Sequence, residues 1–199
     1  MEGLFFIRRI YIIIKGLGVK VTERLVFINM ENEILTGNLL DVGMDNYGIV
    51  YNIYKESNDE IAVDYINGSG EKKNIEENNY DGCVLLFSLR NIKLKLYKKK
   101  LVKDIYKFLK EDGNIYIWDI DKGFNSVFNG KIRILLPNRT VKEIIIKDYN
   151  IFKNSSKEST VKLLKDYFEI LDIKFSNNVY YIKGKKKGKK KYEGTISSN

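Results

Sequence analysis

Asp41-Val42-Gly43 closes an apolar run, Gly48 follows shortly after, and Asp64 closes a second short run, Ile61-Ala62-Val63. The two acids stand about 20 residues apart, the layout of a nucleoside-binding βαβ unit. At the carboxyl end of a first strand the backbone must turn sharply and let a ligand approach it, which glycine permits freely. A carboxylate ending the next strand can then accept both ribose hydroxyls. Ile49, Val50, Ile53 and Tyr54 recur at helical spacing between the two runs, so a short helix is expected there, ended by Ser57-Asn58-Asp59, with a strand over 60–64 after it.

The elements that must hold these residues follow from periodicity. Gly82 to Phe87 is a continuous apolar run, as expected of a strand buried on both faces. Leu94, Leu101, Val102, Ile105, Phe108 and Leu109 form the buried stripe of a helix whose other face carries Lys98, Lys99, Lys103, Lys107 and Lys110. Gly113 is its expected left-handed stop, and a strand over 114–120 follows. Two alternating runs, 131–136 and 141–146, flank Pro137-Asn138-Arg139-Thr140 and predict an antiparallel hairpin. Its place after a strand end suggests a lid, while a rigid cover or a subunit interface would bury its apolar side equally well. The pattern Ser155-Ser156-Lys157-Glu158 is a capping box for a last helix burying Val161, Leu164, Phe168 and Leu171. Strands over 173–175 and 179–183, joined by Ser176-Asn177-Asn178, complete the chain. Strand and helix in alternation predict an α/β domain with a mostly parallel sheet and helices on both faces.

Composition narrows the chemistry. The 199 residues suit one domain, expected over 1–187, with a helical cover over 1–37, the hairpin insertion at 131–147 and a basic flexible tail at 188–199. With no His and a single Cys, Ser-His-Asp and Cys-His nucleophile systems, a His- or Cys-based zinc site and an internal disulfide are all excluded. The default compartment is therefore reducing and cytoplasmic. Arg8 and Arg9 interrupt the apolar amino end and Lys15 ends it, against a spanning helix or signal peptide. Ile7, Ile10, Ile14 and Leu17 fit a helix laid on the domain, with a membrane-surface helix as the lesser reading. The net charge of +9 owes seven lysines to the stretch from Lys183 to Tyr192, leaving a body near neutrality. Such a tail is most simply solvated, and nucleic-acid binding through it is the lesser reading. Cys83, in an apolar strand, reads as core packing.

Over residues 38–187 the chain resembles the class I S-adenosylmethionine-dependent methyltransferases, whose fold is Rossmann-like. Asp41, Val42 and Gly43 match the start of that family's glycine motif. Asp45 stands where its second glycine is expected, Tyr47 where the third is, and Gly48 comes one place late. The segment Tyr80-Asp81-Gly82-Cys83-Val84-Leu85-Leu86-Phe87-Ser88-Leu89 resembles the fourth strand, Asp112 to Asp119 the fifth, and Asn177 to Lys185 the last hairpin. The resemblance implies S-adenosylmethionine as cofactor. Asp41 and the loop from Gly43 through Asp45 to Gly48 would hold its methionine part, Asp64 its ribose, and Tyr65 its adenine, with Ser88 near the sulfonium. Arg90, Asp119 and Asp121 would face the acceptor, a small molecule by default.

Ser88-Leu89-Arg90-Asn91 departs from the Asn-Pro-Pro-Tyr pattern of enzymes that methylate exocyclic amines, and Arg90 replaces the His of a Leu-His pair found in many small-molecule methyltransferases. Methyl transfer asks mainly for alignment and exclusion of water, so the missing histidine does not exclude it. A non-catalytic binding protein and an RNA-binding or RNA-modifying protein are the alternative readings.

Overall fold

The computed structural model describes residues 23–43, 47–58, 60, 62–67 and 75–188. Its main sheet has six strands in the order β3-β2-β4-β5-β9-β8. Strands β2 (Leu39–Gly43), β3 (Val63–Asn67), β4 (Tyr80–Leu86) and β5 (Leu109–Ile120) pair in parallel. Strands β8 (Phe168–Ser176) and β9 (Val179–Lys186) form an antiparallel hairpin, and β9 joins β5 antiparallel. The sheet is thus mixed rather than purely parallel. The β8–β9 turn places Asn177 and Asn178 in the left-handed region, φ 48° and 60°, the geometry of a tight two-residue hairpin turn that asparagine tolerates.

One face carries α2 (Lys95–Phe108) and α3 (Lys157–Leu164), which bury Val102, Ile105, Phe108, Leu163 and Leu164 against Leu40, Val42, Cys83, Leu85, Ile117 and Ile182. Cys83 is fully buried, and that burial pushes its thiol well up. The other face carries α1 (Ile49–Lys55) and, among the described residues, a second sheet of β1 (Arg24–Asn29), β6 (Phe128–Leu135) and β7 (Val141–Asp148), with β1 parallel to β6. Alternation supplies its inner face: Val26, Ile132, Ile134, Leu136, Ile144 and Ile146 pack with Leu39, Val84, Trp118, Ile120 and Tyr181. The hairpin forms as expected, but its inner side is core. It is a fixed cover of the sheet, not a lid.

Other expectations shift as well. The helical cover over 1–37 gives way to strand β1 within its described part, because Arg24-Leu-Val-Phe-Ile-Asn29 alternates with period two and pairs with Gly130 to Leu135; the proposed helical face, Ile7 to Leu17, lies outside the described residues. Helix α2 ends at Phe108, since Leu109 is already extended, and the left-handed residue is Asp112, φ 67°, not Gly113. Residues 110–113 bulge between the Tyr80–Leu109 and Gly82–Asn114 pairs. Helix α3 is capped by Ser156, whose hydroxyl accepts from the Ser159 N–H at 3.3 Å. It stops before Phe168, so Leu171 stands on β8, about half exposed. Strand β9 runs on through Lys186, which is buried and donates to the Leu109 carbonyl at 2.6 Å. Part of the lysine-rich stretch therefore belongs to the folded body. Among the described residues no helix is long and apolar enough to cross a membrane.

Candidate functional site

Strands β2, β3 and β4 end together. Gly43 pairs with Asn67 in register. Asp41 pairs with Val84, so the last residue of β4, Leu86, stands level with Gly43. Ligands of open α/β sheets bind at this edge, beside the strand from which neighbours run outward in opposite directions; here that strand is β2.

Asp41 lies two residues below the edge and, by alternation with Leu40 and Val42, faces the α1 side. It is 9% exposed, and burial pushes its carboxyl up to about 7. Among the described residues no cation offsets that cost, and the negative form of the carboxyl has no charged partner there. Tyr65 pairs with Asp41 in register, and its hydroxyl donates to the Gly43 carbonyl at 3.2 Å. The tyrosine is thereby anchored at the end of β2. Gly48 begins α1 in the left-handed conformation, φ 65° and ψ 14°. Among the described residues a Cβ there would meet only Asn52 Nδ2 at 3.7 Å, and the left-handed backbone turn itself favours glycine. Asp45 lies outside the described residues.

Past β4, Phe87 adopts φ 53°, a costly conformation for a bulky residue, and its N–H donates to the Trp118 carbonyl at 2.7 Å. Nothing in the sequence singled out Phe87. Its turn directs Ser88, buried and donating to the Leu86 carbonyl at 3.1 Å, into the loop at the edge.

The remaining candidates divide. Asp64 does not end its strand: β3 continues to Asn67, so Asp64 is second in it, opposite Leu40, and accepts from the Tyr80 hydroxyl at 2.6 Å. Three residues of strand, about 10 Å, separate it from the edge. The run Tyr65-Ile66-Asn67 has enough β-forming character to carry the strand past an acid that looked like its end. Asp119 is fully buried and accepts from the backbone N–H groups of Arg90 at 2.8 Å and Ile120 at 2.7 Å. Burial raises its carboxyl to about 6, against those two bonds and the Arg90 charge, which lower it. It fastens the loop after β4 to the end of β5. Asp121 accepts from the Lys157 N–H at 2.8 Å at the first turn of α3, a charge-favoured place for an anion. Arg90 stands beside Asp119, with a buried Nε that has no hydrogen-bond partner among the described residues.

Two lysines missed from the sequence complete the edge. Lys98, expected on a solvent face, is buried and donates to the Asn154 carbonyl at 2.9 Å. Lys122 is 2% exposed and donates to the carbonyls of Asn150 at 2.6 Å and Lys153 at 2.9 Å, with Asp148 at 3.8 Å. Burial lowers both ammonium groups from their usual range. Among the described residues there is no cluster suited to hold a metal ion.

The architecture matches solved structures across most of the chain. A S-adenosylmethionine-dependent methyltransferase from Clostridium acetobutylicum is 15% identical, with 80% of this chain and 87% of that chain covered and a TM-score of 0.52. The N-methyltransferase NodS from Bradyrhizobium japonicum, solved in complex with S-adenosyl-L-homocysteine, is 8% identical, with 75% and 78% covered and a TM-score of 0.50. At such identities the likeness shows the fold, a class I methyltransferase α/β architecture. No curated protein matches the chain. The model of the ubiE/COQ5 methyltransferase family matches residues 36–154, more than half of the chain, from the approach to β2 through the loop after β7. The chain belongs to the ubiE/COQ5 methyltransferase family, whose methyl donor is S-adenosylmethionine.

Proposed function

We propose that the chain methylates a small-molecule acceptor at the edge formed by Gly43, Asn67 and Leu86 to Ser88. The observation that carries this reading is Asp41: a buried carboxyl with no described cation beside it, just below the end of β2, suits the ammonium of an amino-acid ligand. Binding would exchange an uncompensated buried charge for a paired one. Gly43, Asp45 and Gly48 belong to the loop that would receive the methionine part, and Tyr65, fixed by its bond to Gly43, supplies an aromatic wall for the adenine.

Bound S-adenosylmethionine supplies a sulfonium-activated methyl group for in-line transfer. The chain's own part is to hold and to exclude. Phe87 and Ser88 shape the backbone where the donor would meet the acceptor, and Asp119 holds that loop through the Arg90 N–H. The Arg90 guanidinium, whose buried Nε has no partner among the described residues, would orient an acceptor that carries an anionic or carbonyl oxygen. Asp119 and Asp121 serve as fasteners and have no proposed contact with the acceptor.

Asp64, second in β3 and bound by the Tyr80 hydroxyl, has no proposed contact with the ribose. Asp64→Ala should leave S-adenosylhomocysteine affinity within about threefold. Calorimetric titration of the variant checks this. A loss of roughly tenfold or more in a folded Asp64→Ala protein, the value of one good hydrogen bond, would restore Asp64 to the ribose and reject the proposed edge.

A further inference from the structure

The sequence from Leu89 to Lys103 holds seven basic residues and no acidic one. Its middle, the start of α2, interleaves exposed Lys93, Lys95, Lys99 and Lys100 with three exposed apolar side chains. Leu94, Leu96 and Tyr97 are 56%, 71% and 58% exposed. Two more large apolar residues stand out at the same end of the molecule, Phe124 at 63% and Phe152 at 75%.

These five side chains come from three segments that the structure fastens together, the start of α2 and the loops after β5 and β7. The Asn125 N–H donates to the Ile151 carbonyl at 2.8 Å, which sets Phe124 and Phe152 each next to one member of a bonded pair. Lys98 ties the first turn of α2 to the Asn154 carbonyl, and Lys122 ties the loop after β5 to those of Asn150 and Lys153. The segments follow β4, β5 and β7, and Asp121 anchors the start of α3 among them. The result is a braced rim at the carboxyl-end side of the main sheet, apolar at its tips and basic around α2.

We propose that this rim docks on the surface of an anionic phospholipid bilayer. Lysines next to exposed leucines and aromatic rings form the composition that seats a protein at the headgroup boundary: the ammonium groups meet lipid phosphates and carboxylates, and the apolar tips enter the acyl margin. Charge complementarity selects an acidic surface. The leucines select a bilayer over nucleic acid, because a phosphate backbone would engage the lysines yet leave Leu94 and Leu96, which cannot stack on bases as aromatic rings do, in water. Docking by this rim brings the cofactor edge to the membrane.

The test is sedimentation of the full chain with vesicles of phosphatidylcholine alone and of phosphatidylcholine with phosphatidylserine, over a range of salt. Binding to the anionic vesicles, weakening with salt, is expected. The double variants Leu94→Ser/Leu96→Ser and Lys93→Glu/Lys95→Glu should each reduce that binding roughly tenfold or more while leaving S-adenosylhomocysteine affinity unchanged. Phe152→Ser, on a separate loop, repeats the test if a helix variant fails to fold. Absence of sedimentation with anionic vesicles overturns the proposal, as does binding indifferent to the leucine and phenylalanine variants. Binding lost only on removal of residues 189–199 would overturn it in favour of the lysine tail. It would equally be overturned by tighter binding of a polyuridine RNA that depends on Lys93 and Lys95 but not on the leucines, or by a dimer that Leu94→Ser/Leu96→Ser converts to monomer.

Discussion

Asp41→Asn is expected to weaken S-adenosylhomocysteine binding by roughly 10- to 100-fold at pH 8, the loss of a charged acceptor bond of about 1.5 to 3 kcal/mol. The same change should stabilise the unliganded protein. Burial raises the Asp41 carboxyl to about 7 in the folded chain, from its ordinary value of 3.8. Its folded value is raised, so the folded state takes up the proton, and the stability this contributes is fully present below about pH 4. That contribution is lost as pH rises toward 7, up to about 4 kcal/mol across the window, with no further loss above it. Asparagine carries no charge at any of these pH values. Urea unfolding of the two proteins should therefore agree near pH 4 and diverge in favour of the variant at pH 8. A variant that is less stable than the parent at pH 8 would mean that Asp41 has a partner in the unliganded fold.

Ile134→Ala should cost about 2 to 5 kcal/mol, measured as a shift in urea midpoint with unchanged slope. Ile134 is fully buried between the second sheet and the main one, and removing its side chain leaves a cavity that two packed sheets cannot readily close. Ile145, on the outer face of the same hairpin and 55% exposed, provides the contrast: Ile145→Ala should stay within about 0.5 kcal/mol. If the hairpin were a lid, both substitutions would be mild and methyl transfer would suffer instead. A small effect of Ile134→Ala on stability would contradict the fixed cover.

The glycine region was legible because its signals are local. The apolar run before Gly43 and the helical spacing of Ile49, Val50, Ile53 and Tyr54 each lie within a few residues, and α1 forms where they predict. The hairpin was legible for the same reason. What it packs against was not, since β1 is completed by a partner about a hundred residues away, Arg24 against Gly130; a strand of six residues carries too little pattern to announce that pairing. Asp64 misled because an acid after an apolar run marks a strand end only if the next residues cannot extend it, and Tyr65 and Ile66 can. Lys98 misled in the opposite sense, and Lys122 drew no reading at all: lysine reads as surface unless backbone carbonyls converge on its ammonium, and those carbonyls come from a loop that only the tertiary fold brings near. Lys93-Leu94-Lys95-Leu96-Tyr97 was readable as basic and apolar residues in alternation, and the apolar stripe assigned to that helix obscured it.

Calorimetric titration of S-adenosylhomocysteine into the full chain at pH 8 and pH 6 tests the central claim most directly. One molecule should bind per chain with a Kd on the order of micromolar to tens of micromolar at pH 8. It should bind roughly tenfold more weakly at pH 6, as Asp41 takes up its proton near pH 7. Absence of binding at millimolar ligand, or an affinity that does not change between the two pH values, would contradict a cofactor site built on Asp41 at the end of β2.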